Sequence, residues 1–306
     1  MKTCLIIFSK NRPLQLDLCL SSIDKNVVGS KPDVYVLYKC DTEYKQSYKT
    51  LKSQHPSVHF WAQSNSIFKD VETILHLTSS QNTKYISFLT DDCIVYSQTG
   101  LFSNKILDQI FNCIHDSQNS IPMVSNLSLR LGLNINQREY IDENGERATT
   151  DDHLVYSNEQ NIAHTNFGII FYDRTQHFSG GYWNYPMSVD GHIYQIDEIF
   201  EYVKELAYLD NIKDWEQTPN SFESALQRFV NITKPIQAIY KESCVVNSPN
   251  NRVQNSIKNS NGHCFKISPN YCLNLFTDGK RINIDKIKFD KIRCPHTEIN
   301  LLEAIE

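Results

Sequence analysis

YISFLTDDC, at residues 85–93, contains a strand-forming run followed at once by two carboxylates. The run from Tyr85 to Leu89 is the continuous, mainly apolar kind that is typical of a central strand in a parallel sheet. It stops at Thr90, Asp91 and Asp92. Two adjacent carboxylates at the end of a buried strand repel each other and lose solvation, so they require a nearby cation. The stretch therefore predicts a buried central strand with a charged site at its end.

Strand-like and helix-like patterns alternate on both sides of this run. Runs rich in β-forming residues are found at 4–8, 33–40, 58–62, 122–129 and 168–172. Helical spacing of apolar residues is found at 13–23, 67–78, 106–114 and 196–206, with a further helix from Asn220. This alternation predicts an α/β fold of three layers, α/β/α, with a mostly parallel sheet and a Rossmann-like nucleotide-binding half.

Two further local patterns lie outside this alternation. Residues 132–163 are polar and lack a sustained period, which predicts an excursion or lid with a hairpin about residues 143–145. Asn220 and Glu223 have capping-box spacing behind Pro219, so we expect Glu223 to support the start of a helix.

The bulk composition excludes several classes of protein. A net charge of −5 and a pI near 6.1 argue against a nucleic-acid partner, which calls for a basic excess. Nine cysteines occur without a CxxC pair, so we expect reduced thiols. No stretch approaches the roughly 20 apolar residues of a transmembrane helix, and the first apolar run is shorter than a signal segment. These features predict a cytoplasmic protein and leave peripheral membrane association open.

Polar residues that can bind a ligand follow four of the predicted strands. They are Ser9, Asn11, Arg12, Asp41, Ser66, Asp91 and Asp92. Ligands of open α/β sheets bind outside the carboxyl ends of the strands, so we expect these side chains to converge. Taken singly, the Asp91–Asp92 pair also fits a turn, and Arg12 also fits a solvated surface charge.

The order and spacing of LIIFSKNRP (5–13), Asp41 and YISFLTDDC resemble the GT-A glycosyltransferases, particularly family-2-like enzymes. The resemblance implies that Asp92 holds Mn²⁺ or Mg²⁺ on the donor diphosphate. Thr90 stands where the family has the first acid of its Asp-x-Asp motif, so Asp91 becomes either a ribose contact or a residue that supports the metal ligand. The resemblance also implies nucleotide-sugar contacts at Ser9, Asn11, Arg12, Asp41 and Asp91. Two further contacts complete the expected set, Ser66 by its place at a strand end and Arg252 because its guanidinium can reach a diphosphate, although Arg252 also fits an ordinary ion pair.

Three later segments, 185–194, 220–229 and 250–254, resemble a group of bacterial glycosyltransferase-like proteins more loosely. In inverting GT-A enzymes an acid at the start of a helix lining the acceptor cleft serves as the base, and by position this is Asp190. His192 would then complete the metal ligands. The alternative is that Asp190 caps a helix in front of a packed His192. An aromatic cluster at Tyr182–Tyr185 fits a sugar platform or core packing.

The resemblance implies that residues 1–130 bind the nucleotide sugar, that 131–254 build the acceptor side of the same domain, and that 255–306 form a closing segment. The expected activity is metal-dependent transfer of a hexosyl or N-acetylhexosaminyl group, with inversion as the default and retention as the alternative, since the same fold does both. The donor would be a UDP-sugar, and the acceptor a hydroxyl of a glycan, as in polysaccharide biosynthesis. A sugar nucleotidyltransferase and a non-catalytic carbohydrate- or nucleotide-binding protein remain alternatives. The first disagrees with the lack of glycine at residues 9–13.

Overall fold

The computed structural model describes residues 3–100, 102–114, 123–142, 147–151, 163–164, 168–174, 181–210, 216–230, 234–253, 262, 264–290 and 292–306. The strands are β1 (Cys4–Lys10), β2 (Asp33–Lys39), β3 (His59–Ala62), β4 (Tyr85–Thr90), β5 (Cys93–Val95), β6 (Val124–Ser128), β7 (Gln137–Ile141), β8 (Arg147–Asp151), β9 (Ala163–His164), β10 (Ile169–Asp173), β11 (His192–Gln195), β12 (Ile236–Tyr240) and β13 (Val245–Asn247). The helices are α1 (Pro13–Asn26), α2 (Lys45–Gln54), α3 (Ile67–Ser79), α4 (Asn104–Phe111), α5 (Ile196–Asp210), α6 (Pro219–Val230) and α7 (Pro269–Thr277).

The main sheet has nine strands within the described ranges, in the order β3-β2-β1-β4-β11-β6-β12-β10-β9. β11 runs antiparallel to β4 and β6, and β10 runs antiparallel to β12 and β9. The other neighbouring pairs are parallel, so only β10 and β11 oppose the remaining strands. This confirms the expected mostly parallel α/β sheet. The carboxyl ends of β1, β2 and β4 therefore lie at the same edge as the start of β11.

The sheet separates two apolar cores, as the side chains of β1 illustrate. Leu5 and Ile7 pack on one face, against α1, α2 and α4. Cys4, Ile6 and Phe8 point to the other face, against α3, α5 and α6. All five are almost fully buried, because successive strand residues alternate between two covered faces. The three-layer α/β/α arrangement is thus confirmed.

β11 corrects the expectation that Asp190 lies at the start of a helix. The next element is the strand His192–Gln195, and helix α5 begins only at Ile196. Ile193 packs into one core and Tyr194 into the other, which is the two-residue period of a strand covered on both faces. Asp190 therefore lies in a turn before a strand, next to Gly191, whose φ is 99°.

The start of α6 corrects a second expectation. Helix α6 begins at Pro219, and the hydroxyl of Thr218 accepts a hydrogen bond from the backbone N–H of Ser221 at 3.2 Å. Thr218 is therefore the capping residue, and the predicted capping box of Asn220 and Glu223 is wrong. The Glu223 carboxylate instead accepts a hydrogen bond from the backbone N–H of Val189 at 3.0 Å.

The excursion at 132–163 contains the expected hairpin. β7 and β8 pair antiparallel, from Gln137 opposite Asp151 to Ile141 opposite Arg147. The turn at 143–146 lies outside the described residues. Across the described part of the chain, no helix is long and apolar enough to cross a membrane.

The first two predicted parts of the chain share this one sheet, and the third packs against them. β11, from the part at 131–254, lies between β4 and β6, which belong to the part at 1–130. Within the last part, α7 packs on α1 and α2. The backbone N–H of Asn247 donates to the Pro295 carbonyl at 2.9 Å, and the Thr297 N–H donates to the Asn247 carbonyl at 2.9 Å. These two hydrogen bonds join residues 295–297 to the end of strand β13.

Gly132 marks a close approach between the segment after β6 and the segment before β13. The Leu133 N–H donates to the Lys241 carbonyl at 2.9 Å, which holds the two segments together. A Cβ atom on Gly132 would overlap the backbone N of Ser243 and lie 2.6 Å from the carbonyl carbon of Glu242. Backbone atoms cannot rotate away as a side chain can, so only glycine fits here.

We predict that Gly132→Ala destabilises the protein by roughly 1–3 kcal/mol, the usual cost of overpacking. The measurement is the urea midpoint of unfolding followed by circular dichroism. Gly100→Ala is the matched control, because the nearest atom to its added Cβ lies 3.9 Å away. Equal midpoints for the two variants would contradict the prediction.

Candidate functional site

A cavity of about 900 Å³ opens at the edge where β1, β2 and β4 end and β11 begins. Its lining includes six polar or charged side chains at the centre of the site, namely Ser9, Arg12, Asp91, Asp92, Asp190 and Glu223. The first four were predicted from the ends of the first and fourth strands, and the fifth from the loose resemblance. The structure brings these five together, and it adds Glu223.

Arg12 is the cation between the two adjacent carboxylates. Its Nη1 atom lies 3.0 Å from Oδ1 of Asp91 and 2.7 Å from Oδ2 of Asp92, and all three residues are buried. Burial alone would lower the pKa of the guanidinium, but the two carboxylates outweigh it and raise that pKa above its ordinary value. Arg12 therefore stays charged inside the protein.

The remaining carboxylate oxygens of this pair also have donors. Oδ2 of Asp91 accepts from the Ser9 hydroxyl at 2.9 Å and from the Lys10 N–H at 3.0 Å. Oδ1 of Asp92 accepts from Nδ2 of Asn247 at 2.8 Å. Each of the four oxygens thus already accepts a hydrogen bond from the protein.

The two neighbouring carboxyls differ in basicity. Burial removes the Asp91 carboxyl from water and raises its pKa to about 6, although the positive charge of Arg12 opposes this rise. Burial acts in the same direction on Asp92, but Arg12 and the hydrogen bond from Asn247 outweigh it, and the pKa of Asp92 falls below its ordinary value. Asp92 is therefore the firmly ionised partner of Arg12.

Asp190 lies beside this cluster and is held by several donors. Its Oδ1 accepts from the Thr90 hydroxyl at 2.9 Å, and its Oδ2 lies 3.1 Å from Nη1 of Arg130. Nε2 of His296 is 3.7 Å from the same oxygen. Thr90, which replaces the first acid of the expected motif, thus connects the end of β4 to Asp190.

Glu223 faces the same cavity from the second turn of α6. Removal from water raises its pKa to about 7, the negative charge of Asp190 adds to the rise, and Arg130 opposes it. Asp190 and Glu223 are therefore two neighbouring carboxyl groups in unlike environments, the first paired with Arg130 and the second hydrogen-bonded to the backbone N–H of Val189. Such pairs are characteristic of acid–base chemistry.

His192 is not among the described residues that line this cavity. It is fully buried in β11, with its ring centre 6.1 Å from that of Tyr194. Burial, together with the charge of Arg130, lowers the pKa of His192 well below its ordinary value. His192 is therefore a packed histidine, as in the alternative interpretation of the sequence. It does not line the cavity beside Asp92.

The expected Mn²⁺ or Mg²⁺ can be tested against the donor set around Asp92. Divalent ions of this kind require several open oxygen or nitrogen ligands. Both oxygens of Asp92 are engaged by Arg12 and Asn247. Within the described ranges, no group of three or more His, Cys, Asp or Glu side chains has an arrangement that could hold a metal ion. The residues as arranged do not fit a metal site.

Asn11 and Asp41 bond to each other rather than facing the cavity. Nδ2 of Asn11 donates to Oδ2 of Asp41 at 2.7 Å, and the Asp41 N–H donates to Oδ1 of Asn11 at 2.9 Å. Asn11 has a φ of 53°, a left-handed conformation that asparagine tolerates better than most residues. The pair fixes the turn that precedes Arg12, and neither residue belongs to the described cavity lining.

Ser66 and Arg252 also lie outside the described lining. Ser66 caps α3 by accepting from the backbone N–H of Lys69 at 3.2 Å. Arg252 precedes Val253, which does line the cavity. In the aromatic cluster, Tyr182 and Tyr185 line the cavity, whereas Trp183 is buried in the core.

Three residues that contact the site were not predicted as site residues, although Asn251 lies in the loosely resembling segment 250–254. Asn247 contacts Asp92, Asn251 contacts Arg12, and His296 approaches Asp190. Each contact joins residues more than 100 positions apart, so no local spacing could indicate it. Glu223 did have a signal, but its spacing from Asn220 also fitted a helix cap.

No family model matches the chain. It is 25% identical over 230 residues to the bifunctional glycosyltransferase pgtA of Dictyostelium discoideum, covering 72% of this chain and 27% of that protein. The chain therefore spans about a quarter of the length of this curated relative.

Two solved structures give remote matches. One is S. aureus TarS, at 12% identity and a TM-score of 0.41, covering 80% of this chain and 36% of that chain. The other is 4-diphosphocytidyl-2C-methyl-D-erythritol synthase from Anaerococcus prevotii, at 9% identity and a TM-score of 0.37, covering 78% and 85% respectively. Likenesses of this size do not bear on function. The chain is thus similar in sequence to a curated glycosyltransferase, in agreement with the resemblance that the motifs after β1 and β4 carry.

Proposed function

We propose that the chain transfers a sugar from a nucleotide-sugar donor to a hydroxyl acceptor in the cavity at the carboxyl edge of the sheet. The observation that carries the proposal is the meeting of two groups of residues in one cavity. One group is the strand-end set with Arg12 and Asp91, and the other is the pair Asp190 and Glu223. A cavity of about 900 Å³ also has the size of known ligand pockets, roughly 300–1,000 Å³.

We assign the nucleotide to the part of the cavity beside β1 and β2. Open α/β sheets bind nucleotides in this position, outside the carboxyl ends of their strands. Leu37 offers an apolar contact there, and Lys10 and Lys39 offer positive charge for a diphosphate. A UDP-sugar is the donor that the family resemblance favours, and it forms part of the proposal on that basis.

We assign the acceptor to the part of the cavity beside Asp190 and Glu223. Sugar transfer requires a base that takes the proton of the acceptor hydroxyl as its oxygen bonds to the anomeric carbon. The bond from that carbon to the donor diphosphate breaks at the same time, and the nucleoside diphosphate leaves with the electron pair. A single displacement of this kind inverts the anomeric carbon.

Glu223 is the better candidate for this base. A base works best when its pKa lies near the working pH, and the pKa of Glu223 is raised to about 7. Asp190 was the candidate from sequence, but Thr90 and Arg130 already occupy its oxygens. We therefore propose that Glu223 accepts the proton, and that Asp190 fixes Arg130 beside it.

We expect the purified protein to release a nucleoside diphosphate from one of a panel of UDP-, GDP- and CDP-sugars when hydroxyl acceptors are present. The measurement is chromatography of the nucleotide products, with and without the protein. Release of pyrophosphate from a nucleoside triphosphate and a sugar phosphate would instead identify a nucleotidyltransferase. Absence of both reactions, together with no thermal shift from any nucleotide, would identify a non-catalytic protein.

We expect Glu223→Gln to lower turnover by roughly 10²–10⁴-fold while donor affinity stays nearly unchanged, because only proton transfer is removed. Turnover of the wild type should rise with pH through about 7, since the base must be ionised. Glu201→Gln, on the exposed face of α5, is the control. If Asp190→Asn abolishes transfer while Glu223→Gln keeps it, then Asp190 is the base.

A stability measurement tests the raised pKa of Glu223 independently of activity. Its pKa is 4.5 ordinarily and about 7 in the folded protein, so the folded state binds this proton more tightly. The resulting stabilisation is present below about pH 4.5 and is lost as the pH rises through about 7. Glu223→Gln should therefore gain stability relative to wild type between pH 5 and pH 8, by about 1–2 kcal/mol, because cavity water screens part of the effect. The prediction is refuted if denaturation curves give the same difference in free energy of unfolding between Glu223→Gln and the wild type at pH 5 and at pH 8.

A further inference from the structure

The position of Arg12 is set by the backbone around it. Arg12 directly precedes α1, whose first residue is Pro13, and its carbonyl accepts the Leu16 N–H at 2.9 Å. The reciprocal bonds of Asn11 and Asp41 hold the turn before it. The side chain of Arg12 therefore leaves a rigid point at the end of β1.

The guanidinium is also held on the side away from the carboxylates. Nε of Arg12 donates to Oδ1 of Asn251 at 2.8 Å, and Nη2 donates to the Asn251 carbonyl. Asn251 is only 2% exposed. Arg12 is thus enclosed between β4 and the segment that follows β13.

The contacts of Arg12 account for most of its donors. A guanidinium has five N–H groups. Two of them, on Nη1, donate to Asp91 and Asp92, and two others donate to Asn251. Among the contacts of the described residues, the second N–H of Nη2 has no acceptor, and Arg12 lines the cavity. One donor therefore remains for a ligand.

A divalent ion at this place would have to replace Arg12. It would take the oxygens that face Nη1 and leave a guanidinium enclosed by Asn251 without its two carboxylates. Such a buried charge is strongly disfavoured. The Asn247 side chain would also have to leave Asp92 before its second oxygen could bind the ion.

We propose that the Arg12 guanidinium takes the place of a divalent cation at Asp91 and Asp92, and that the chain binds a nucleoside diphosphate at this edge without a metal ion. Guanidinium groups suit this role because they bind carboxylates and phosphates in fixed geometry. The statement about the diphosphate rests on the proposed function. The statement about the cation does not.

The first experiment uses Mn²⁺ alone, titrated into chelator-treated protein and followed by the electron paramagnetic resonance signal of free Mn²⁺. We expect no saturable binding by the wild type up to the order of 1 mM. Arg12→Ala should gain a site at least roughly tenfold tighter, because it exposes both carboxylates, and the added change Asp92→Asn should remove that site. Arg228→Ala, on the exposed face of α6, is the matched control and should behave as the wild type.

Saturable binding of Mn²⁺ by the wild type that Asp92→Asn abolishes would overturn the proposal. This comparison remains decisive if Arg12→Ala fails to fold. Arg12→Lys is then the second variant, since it keeps the charge and should, like the wild type, bind no Mn²⁺.

The second experiment measures UDP and GDP affinity by calorimetry, in EDTA and in Mn²⁺. We expect the dissociation constant of whichever nucleotide binds to agree within about twofold between the two conditions. Binding seen only with Mn²⁺ would overturn the proposal. If neither nucleotide binds in either condition, the proposed function and the diphosphate statement fail, whereas the cation statement is still decided by Mn²⁺ alone.

Discussion

The contact of Arg12 with Asp91 and Asp92 is the constraint on which the rest of the site depends. It allows the central strand β4 to end on two buried carboxylates, which could not both remain charged there without a cation. It also draws three distant parts of the chain together, since Asn251 holds the guanidinium from behind. The shape of the cavity edge therefore follows from one side chain at the end of the first strand.

Much of the fold was predictable, because the spacing of apolar residues along the sequence indicates most of its strands and helices. The run that became β4 and the helix that begins at Pro13 both carry local apolar patterns that are typical of their element. β11 was not predictable in this way. It has four residues, and its partners β4 and β6 come from elsewhere in the chain, so nothing local distinguishes it from the helix that follows. The error about Asp190 followed directly from missing that strand.

The same contrast between local patterns and long-range contacts separates the site residues that were predicted from those that were not. Ser9 and Asp91 were found because strand ends in a parallel sheet share an edge, and the topology then brings them together. Ser66 and Asp41 met the same criterion, yet both are satisfied by nearby backbone or side-chain groups, which is the commoner fate of short polar residues at turns. Glu223 was assigned a local partner when its actual partner lies in a different loop.

The attachment of the chain end to Asn247 has a practical consequence for anyone who shortens this protein. The backbone of Asn247 is bonded on both sides to residues 295–297, while its side chain contacts Asp92. The same segment brings His296 to Asp190. A shortened version that stops after α7 would retain the sheet and every predicted strand-end residue. It would nevertheless remove His296 from the cavity lining and both backbone hydrogen bonds that hold Asn247 beside Asp92, so the final segment belongs to the site.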